Sequence, residues 1–188
     1  MRRILTASAA VLAALAIGAC GHKEAETLHG STEGAYLDLG GLKYQVQISR
    51  LLNPRSTEDR AYFIGLNGAS PELPAGQEWF AVFMRVENDG EKAANAASDY
   101  TITDTQGTKF RPQKFGNVNV FAYRGGRLEP TDVLPNPDSP SGQGTIQGSL
   151  LLFKIPTRNL ENRPLELSIR ARGPLGRPQG VDIGALRG

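Results

Sequence analysis

Leu42-Lys43-Tyr44-Gln45-Val46-Gln47-Ile48-Ser49 alternates apolar and polar side chains without a break. Successive side chains of an extended chain point to opposite faces, so Leu42, Tyr44, Val46 and Ile48 form a buried face and the intervening residues a wet one. Downstream, Trp79 to Val86 is apolar at every position but Arg85, the pattern of a central strand covered on both sides. Tyr100 and Ile102 alternate with threonines and run into Asp104-Thr105-Gln106-Gly107, a turn with glycine where positive φ is tolerated. Val118, Val120 and Ala122 suggest a further short strand, as do Ile146 to Ile155 and Leu165 to Ile169.

No stretch carries a long amphipathic helical pattern. Glu91 to Ser98 is alanine-rich but short, which suits a helical turn or a loop. About seven short strands, with 22 Gly and 12 Pro between and around them, predict an all-β protein with an antiparallel β-sandwich. A chain of 188 residues fits one domain and can bury a core without metals or disulfides. The expected bounds are 35–172 for the sandwich and 173–188 for a Gly/Pro/Arg-rich tail, frayed or laid along the domain.

The N-terminus has a different character. Arg2 and Arg3 precede an apolar run from Ile4 to Ile17, broken only by Thr6 and Ser8, and small residues lead to Cys20. This is the pattern of a secretory signal over residues 1–19, too short for a comfortable membrane span. Ile17-Gly18-Ala19-Cys20 resembles the lipobox of bacterial lipoproteins. The resemblance implies that Cys20 is diacylglycerylated, that cleavage precedes it, and that its acyl chains hold the protein on the outside of a membrane. Residues 20–34, with one aliphatic side chain larger than Ala, are expected to form a flexible tether. Both histidines, His22 and His29, lie there.

Removal of residues 1–19 takes away two arginines and no acid, leaving 19 basic and 19 acidic side chains. The basic pI is therefore largely a property of the signal. Residues 154–188 hold 7 basic groups against 3 acidic ones. That end could lie against anionic headgroups or wall polymers, although a solvated strand face with a charged tail explains it more simply. No dense Lys/Arg patch with interleaved aromatics indicates nucleic-acid binding.

The segment from Trp79 to Glu91, with Val86-Glu87-Asn88 before a small turn, resembles a signature of immunoglobulin-like domains in a largely uncharacterised family of bacterial envelope lipoproteins. The likeness continues through Asp99 to Phe110, where an aromatic, an alternating strand, a Gly hairpin and a second aromatic follow in order. It closes with Leu134-Pro135-Asn136-Pro137, Gly148 to Pro156 and Leu165-Glu166-Leu167, and so covers residues 36–171. The family's proline-rich turn contains Pro-Gly and an acid, whereas this chain has Asn136-Pro137-Asp138-Ser139-Pro140. The resemblance implies an immunoglobulin-like sandwich on a lipid anchor and transfers no catalytic residues.

The residues offer little to an enzyme. The only Cys is the one the lipobox resemblance assigns to the anchor, both His are in the expected tether, and no Gly-x-Ser-x-Gly, phosphate-binding or dinucleotide fingerprint is present. Two histidines cannot form a three-histidine zinc site, and no Asp-x-Asp-x-Asp calcium loop occurs. The acidic groupings Glu58-Asp59, Glu87 with Asp89, and Asp99 with Asp104 show no spacing that selects a catalytic pair. No catalytic residue, metal ligand or cofactor is expected.

Binding suits a tethered sandwich better. Lys114 to Arg127 places Phe115, Phe121 and Tyr123 beside Arg124 and Arg127, residue types that anchor interfaces or stack on sugar rings. In the plainer reading Phe121 packs inward, Tyr123 covers a strand edge and the arginines are solvated. Asn53 to Leu66 is a second candidate, an irregular excursion whose plainer reading is a charged turn with a core-facing aromatic pair. The expected role is a non-enzymatic envelope module whose partners are membrane lipid through Cys20 and an envelope protein or polymer. The alternative is a lipoprotein that binds a small ligand or metal ion and serves a transporter.

Overall fold

The computed structural model describes residues 26–30, 33–68, 70–172 and 178–186. Cys20 and the signal segment lie outside the described residues. The fold is an all-β sandwich. One sheet is built from β2 (Tyr36–Leu39), β3 (Leu42–Leu52), β4 (Gln77–Glu87) and β10 (Ser149–Pro156), in the order β10-β4-β3-β2, with the short β9 (Val133–Leu134) added to β4. The other runs β1-β12-β11-β6-β7, from β1 (Glu26–Gly30), β6 (Asp99–Thr103), β7 (Lys109–Phe110), β11 (Leu165–Arg172) and β12 (Pro178–Leu186). A two-residue pair, β5 (Ala94–Asn95) with β8 (Arg127–Leu128), occupies part of the stretch expected as a helical turn or a loop. Ala94 lies two residues before the buried Ala96 and three before Ala97, and the β8 pairing holds that segment extended over the core.

Alternation explains the inner core. Leu42, Tyr44 and Val46 of β3 and Phe80, Val82, Met84 and Val86 of β4 face Tyr100, Ile102, Leu167 and Ile169 of the opposite sheet. The alternation fails at one expected position. The register of β3 on β4 shifts between Val46 and Ile48, so Ile48 turns outward at 37% exposure and Ser49 is buried. One extra residue in a strand inverts every side chain beyond it. Leu52 therefore joins the opposite face of the sheet.

The continuous apolar run of β4 has its reason there. Trp79, Ala81 and Phe83 point away from the inner core and are buried in a second cluster with Leu52, Phe63, Leu150 and Leu152. Loops, not another sheet, cover this face. The excursion after β3 supplies Phe63 from a 3-10 turn at Arg60–Phe63, and Tyr62 meets Phe83 and Phe121 edge to face at 5.2 and 4.9 Å. Asp59 fastens that excursion, accepting the Asn53 amide at 2.8 Å and pairing with Arg50 at 2.5 Å.

Both expected ends of the domain move outward. Glu26–Gly30, read as flexible tether, is a strand in parallel register with Gln179–Ile183 of β12. Main-chain pairing does not require apolar side chains, so composition concealed it. The other strand pairs among the described residues are antiparallel. Pro178–Leu186, read as tail, pairs with β11 and buries Val181, Ile183 and Leu186. Its alternation was masked by surrounding Gly, Pro and Arg.

Candidate functional site

The expected strand through Val118 and Val120 does not form; both side chains are exposed, and only Ala122 makes a bridge to Leu150. The segment instead closes the edge of β10. Gln113 N–H donates to the Leu152 carbonyl at 2.7 Å, Tyr123 N–H to the Leu150 carbonyl at 2.8 Å, and Leu150 N–H to the Phe121 carbonyl at 2.7 Å. An uncovered edge strand would present unpaired main chain to other chains. Asn119, 2% exposed, clasps the loop to the excursion after β3. Its amide donates to the carbonyls of Tyr62 and Ile64 at 3.0 and 2.8 Å, and its oxygen accepts from Phe121 and Ala122, both at 2.9 Å.

Between its two attachments the loop leaves a cavity of about 470 Å³. Tyr100, Tyr123, Phe115, Ala122, Leu150 and Leu151 form its apolar wall, and Arg111, Lys114 and Arg124 lie at its solvent side. Among the described residues no carboxylate lines it. The structure thus gathers Phe115, Tyr123 and Arg124 from the expected set. Phe121 is packed in the second apolar cluster, and Arg127 pairs at the surface with Glu129 at 2.8 Å. Tyr100, Arg111 and the β10 leucines were not legible as site residues, because strand pairing across the molecule brings them to the loop.

Three phenols meet behind this wall around the Ala97 peptide. Tyr44 accepts the Ala97 N–H at 2.7 Å, and Tyr123 donates to the Ala97 carbonyl at 2.9 Å. The Tyr100 hydroxyl is buried and has no hydrogen-bond partner. The Tyr123 hydroxyl lies beside it and spends its proton on the Ala97 carbonyl. Burial raises all three; Tyr44 is pushed up to about 12, the Ala97 N–H offsetting part of the effect. These phenols stay protonated at neutral pH and carry no charge for acid–base work.

The acidic groupings are dispersed. Asp99 pairs with Arg111 at 3.0 Å and Asp89 with Lys43 at 2.5 Å, while Glu87 accepts from Arg85 and Tyr36. Asp104 is a structural hub at the β6–β7 turn. It accepts the Gln106 and Thr108 amides at 3.0 and 2.8 Å and the side-chain amides of Asn159 and Asn162 at 2.8 and 3.2 Å. Burial pushes its carboxyl upward, but these donors outweigh that and hold it at about 2. No group of three His, Cys, Asp or Glu side chains is placed to hold a metal among the described residues.

A larger cleft, about 920 Å³, lies at the end of the sandwich between the β2–β3 turn and Ala93–Ser98. Its walls are largely glycine, alanine and main chain, and its charged lining is Glu91 and Asp99 together with Lys92, Arg170 and Arg172. Mixed charge and few distinctive side chains make it a weaker candidate than the cavity beside Tyr100.

Among the described residues no helix is long and apolar enough to cross a membrane. No protein-family model and no curated protein matches the chain. Solved structures with a similar course include the yjhA protein of Bacillus subtilis, 12% identical, with 81% of this chain and 99% of that one covered and a TM-score of 0.48. An uncharacterised β-sandwich protein of Clostridium difficile 630 is 9% identical, covering 86% and 96%, with a TM-score of 0.44. The putative ApaA protein of Bordetella pertussis is 17% identical, covering 81% and 91%, with a TM-score of 0.35.

Proposed function

We propose that the protein is a lipid-anchored module of the cell envelope, held outside the cytoplasm through Cys20, that binds an envelope protein or polymer without catalysing a reaction. The observation that carries this is the run Ile17-Gly18-Ala19-Cys20 at the end of a signal-like apolar segment, with a β-sandwich beginning at Glu26. Six residues from Cys20 to Glu26 reach at most about 20 Å, so the anchor keeps the domain close to the bilayer. The surface that supports partner binding is the outer side of the β10-covering loop, where Val118 and Val120 are 67% and 55% exposed beside Ile64 at 54%.

Labelled palmitate should enter the wild-type protein and not Cys20→Ser; equal labelling of both ends the anchored reading. For binding, the mature chain from residue 20 is immobilised and exposed to solubilised envelope. A partner retained by the wild type and lost by a folded Val118→Asp, Val120→Asp variant supports the module. A partner retained by both, or none, removes that surface from the proposal.

A second reading, a small-ligand-binding lipoprotein, is favoured by the half-open cavity with aromatic side chains in its wall and cations at its mouth. Melting shifts at fixed ligand excess distinguish it from the first.

A further inference from the structure

We propose that the cavity beneath residues 111–125 binds a small aromatic carboxylate. The proposal deepens the small-ligand reading and depends on the cavity alone, so it stands or falls independently of acylation at Cys20.

The size is that of a small-molecule site, which ordinarily spans roughly 300 to 1,000 Å³; this one is about 470 Å³. Phe115 and Tyr123, both half-buried, offer ring surfaces, and the buried Tyr100, Leu150 and Leu151 back the wall between them. A flat apolar body fits such a wall by edge-to-face or offset contact, as Tyr100 and Tyr123 already make with each other at 5.0 Å. The hydroxyl of Tyr100, buried behind this wall without a hydrogen-bond partner, is a polar atom that protein packing alone leaves unused.

The charge of the mouth selects the ligand's polar group. Arg111, Lys114 and Arg124 line it and no acid among the described residues does, so an anion is favoured. Two of the three are already engaged. Arg111 pairs with Asp99, and Arg124 donates to the Gly116 carbonyl at 2.6 Å. Lys114 is exposed and has no partner among the described residues. One uncommitted cation at the rim of an aromatic cavity matches a monoanion, and a carboxylate on an aromatic ring presents that charge in the plane of the body the wall accepts.

The test is isothermal titration of the mature chain from residue 20, carrying Cys20→Ser, with 2-naphthoate and its uncharged isostere 2-naphthamide at low ionic strength. The expected result is one site per chain, with naphthoate bound at least about tenfold more tightly than the amide. Lys114→Glu should weaken naphthoate by about tenfold or more, and Lys154→Glu, a reversal on exposed β10 surface outside the cavity, by less than about twofold. Equal affinity for acid and amide overturns the proposal, as does absence of heat with naphthoate at millimolar concentration. Equal losses in the two charge-reversal variants also overturn it, because the attraction would then belong to overall charge and not to this cavity.

Discussion

Tyr100 and Tyr123 meet edge to face with ring centroids 5.0 Å apart, and only Tyr123 has a hydrogen-bond partner for its hydroxyl. The two phenols, one on β6 and one in the loop that seals β10, join the inner core to the cavity wall. Their unequal bonding leads to opposite expectations for the same chemical change. Tyr100→Phe removes a buried polar atom that bonds nothing, so stability should hold or rise by up to about 1 kcal/mol. Tyr123→Phe leaves the Ala97 carbonyl without its phenol and should cost about 1 kcal/mol. Urea unfolding of both variants measures the difference, and a loss in Tyr100→Phe as large as in Tyr123→Phe would contradict the assigned bonding.

The Asn119 side chain makes four hydrogen bonds, two to the excursion after β3 and two within its own β10-covering loop. Asn119→Ala should cost about 2–4 kcal/mol, because two main-chain amides and two carbonyls lose their partner together. Hydrogen exchange gives the spatial pattern. The Tyr123 and Gln113 amides should lose protection while those of β4 keep theirs. Uniform loss across both would mean that the clasp supports the whole fold.

The Asp104 carboxyl sits at about 2 in the folded protein, below the usual 3.8. A depressed carboxyl stabilises the fold fully above its unfolded value. That contribution is lost as pH falls through about 4 towards 2. Acid titration of the wild type should therefore show a steep loss in this window. Asp104→Asn, which cannot ionise and turns an amide towards donors, should be less stable at pH 7 and lose less on acidification. Parallel acid limbs for the two proteins would assign the transition to other carboxylates.

Strand β1 pairs with β12 over five residues, Glu26 to Gly30. A chain beginning at residue 35 should melt lower than one beginning at residue 20, by an amount equivalent to about 2–4 kcal/mol, since the edge of β12 is left open. Thermal unfolding followed by circular dichroism compares them. Identical melting temperatures would mean that β1 contributes nothing to the stability of the sheet.

Period-two alternation in β3, β6 and β11 made the sandwich legible, since one wet and one dry face leave that pattern directly in the residues. The unbroken apolar run of β4 likewise announced two covered faces. The bulge at Gln47 was not legible, because Ile48 continues the alternation and only the register on β4 inverts it. Val118 and Val120 mimicked a strand for the converse reason: alternation is necessary for a half-buried strand, not sufficient.

By itself the sequence determined the all-β class, the main strands, the signal-like first segment ending at Cys20, and the even balance of basic and acidic side chains over residues 20–188. These depend on composition and local periodicity. Only the tertiary structure decided that Glu26–Gly30 and Pro178–Leu186 belong to the sheet, that loops bury the outer face of β4, and that Phe121 packs inward while Phe115, Tyr123 and Arg124 join Tyr100 and Lys114 around one cavity. Those outcomes rest on main-chain pairing and on contacts between residues far apart in the chain, which no local pattern of side chains encodes.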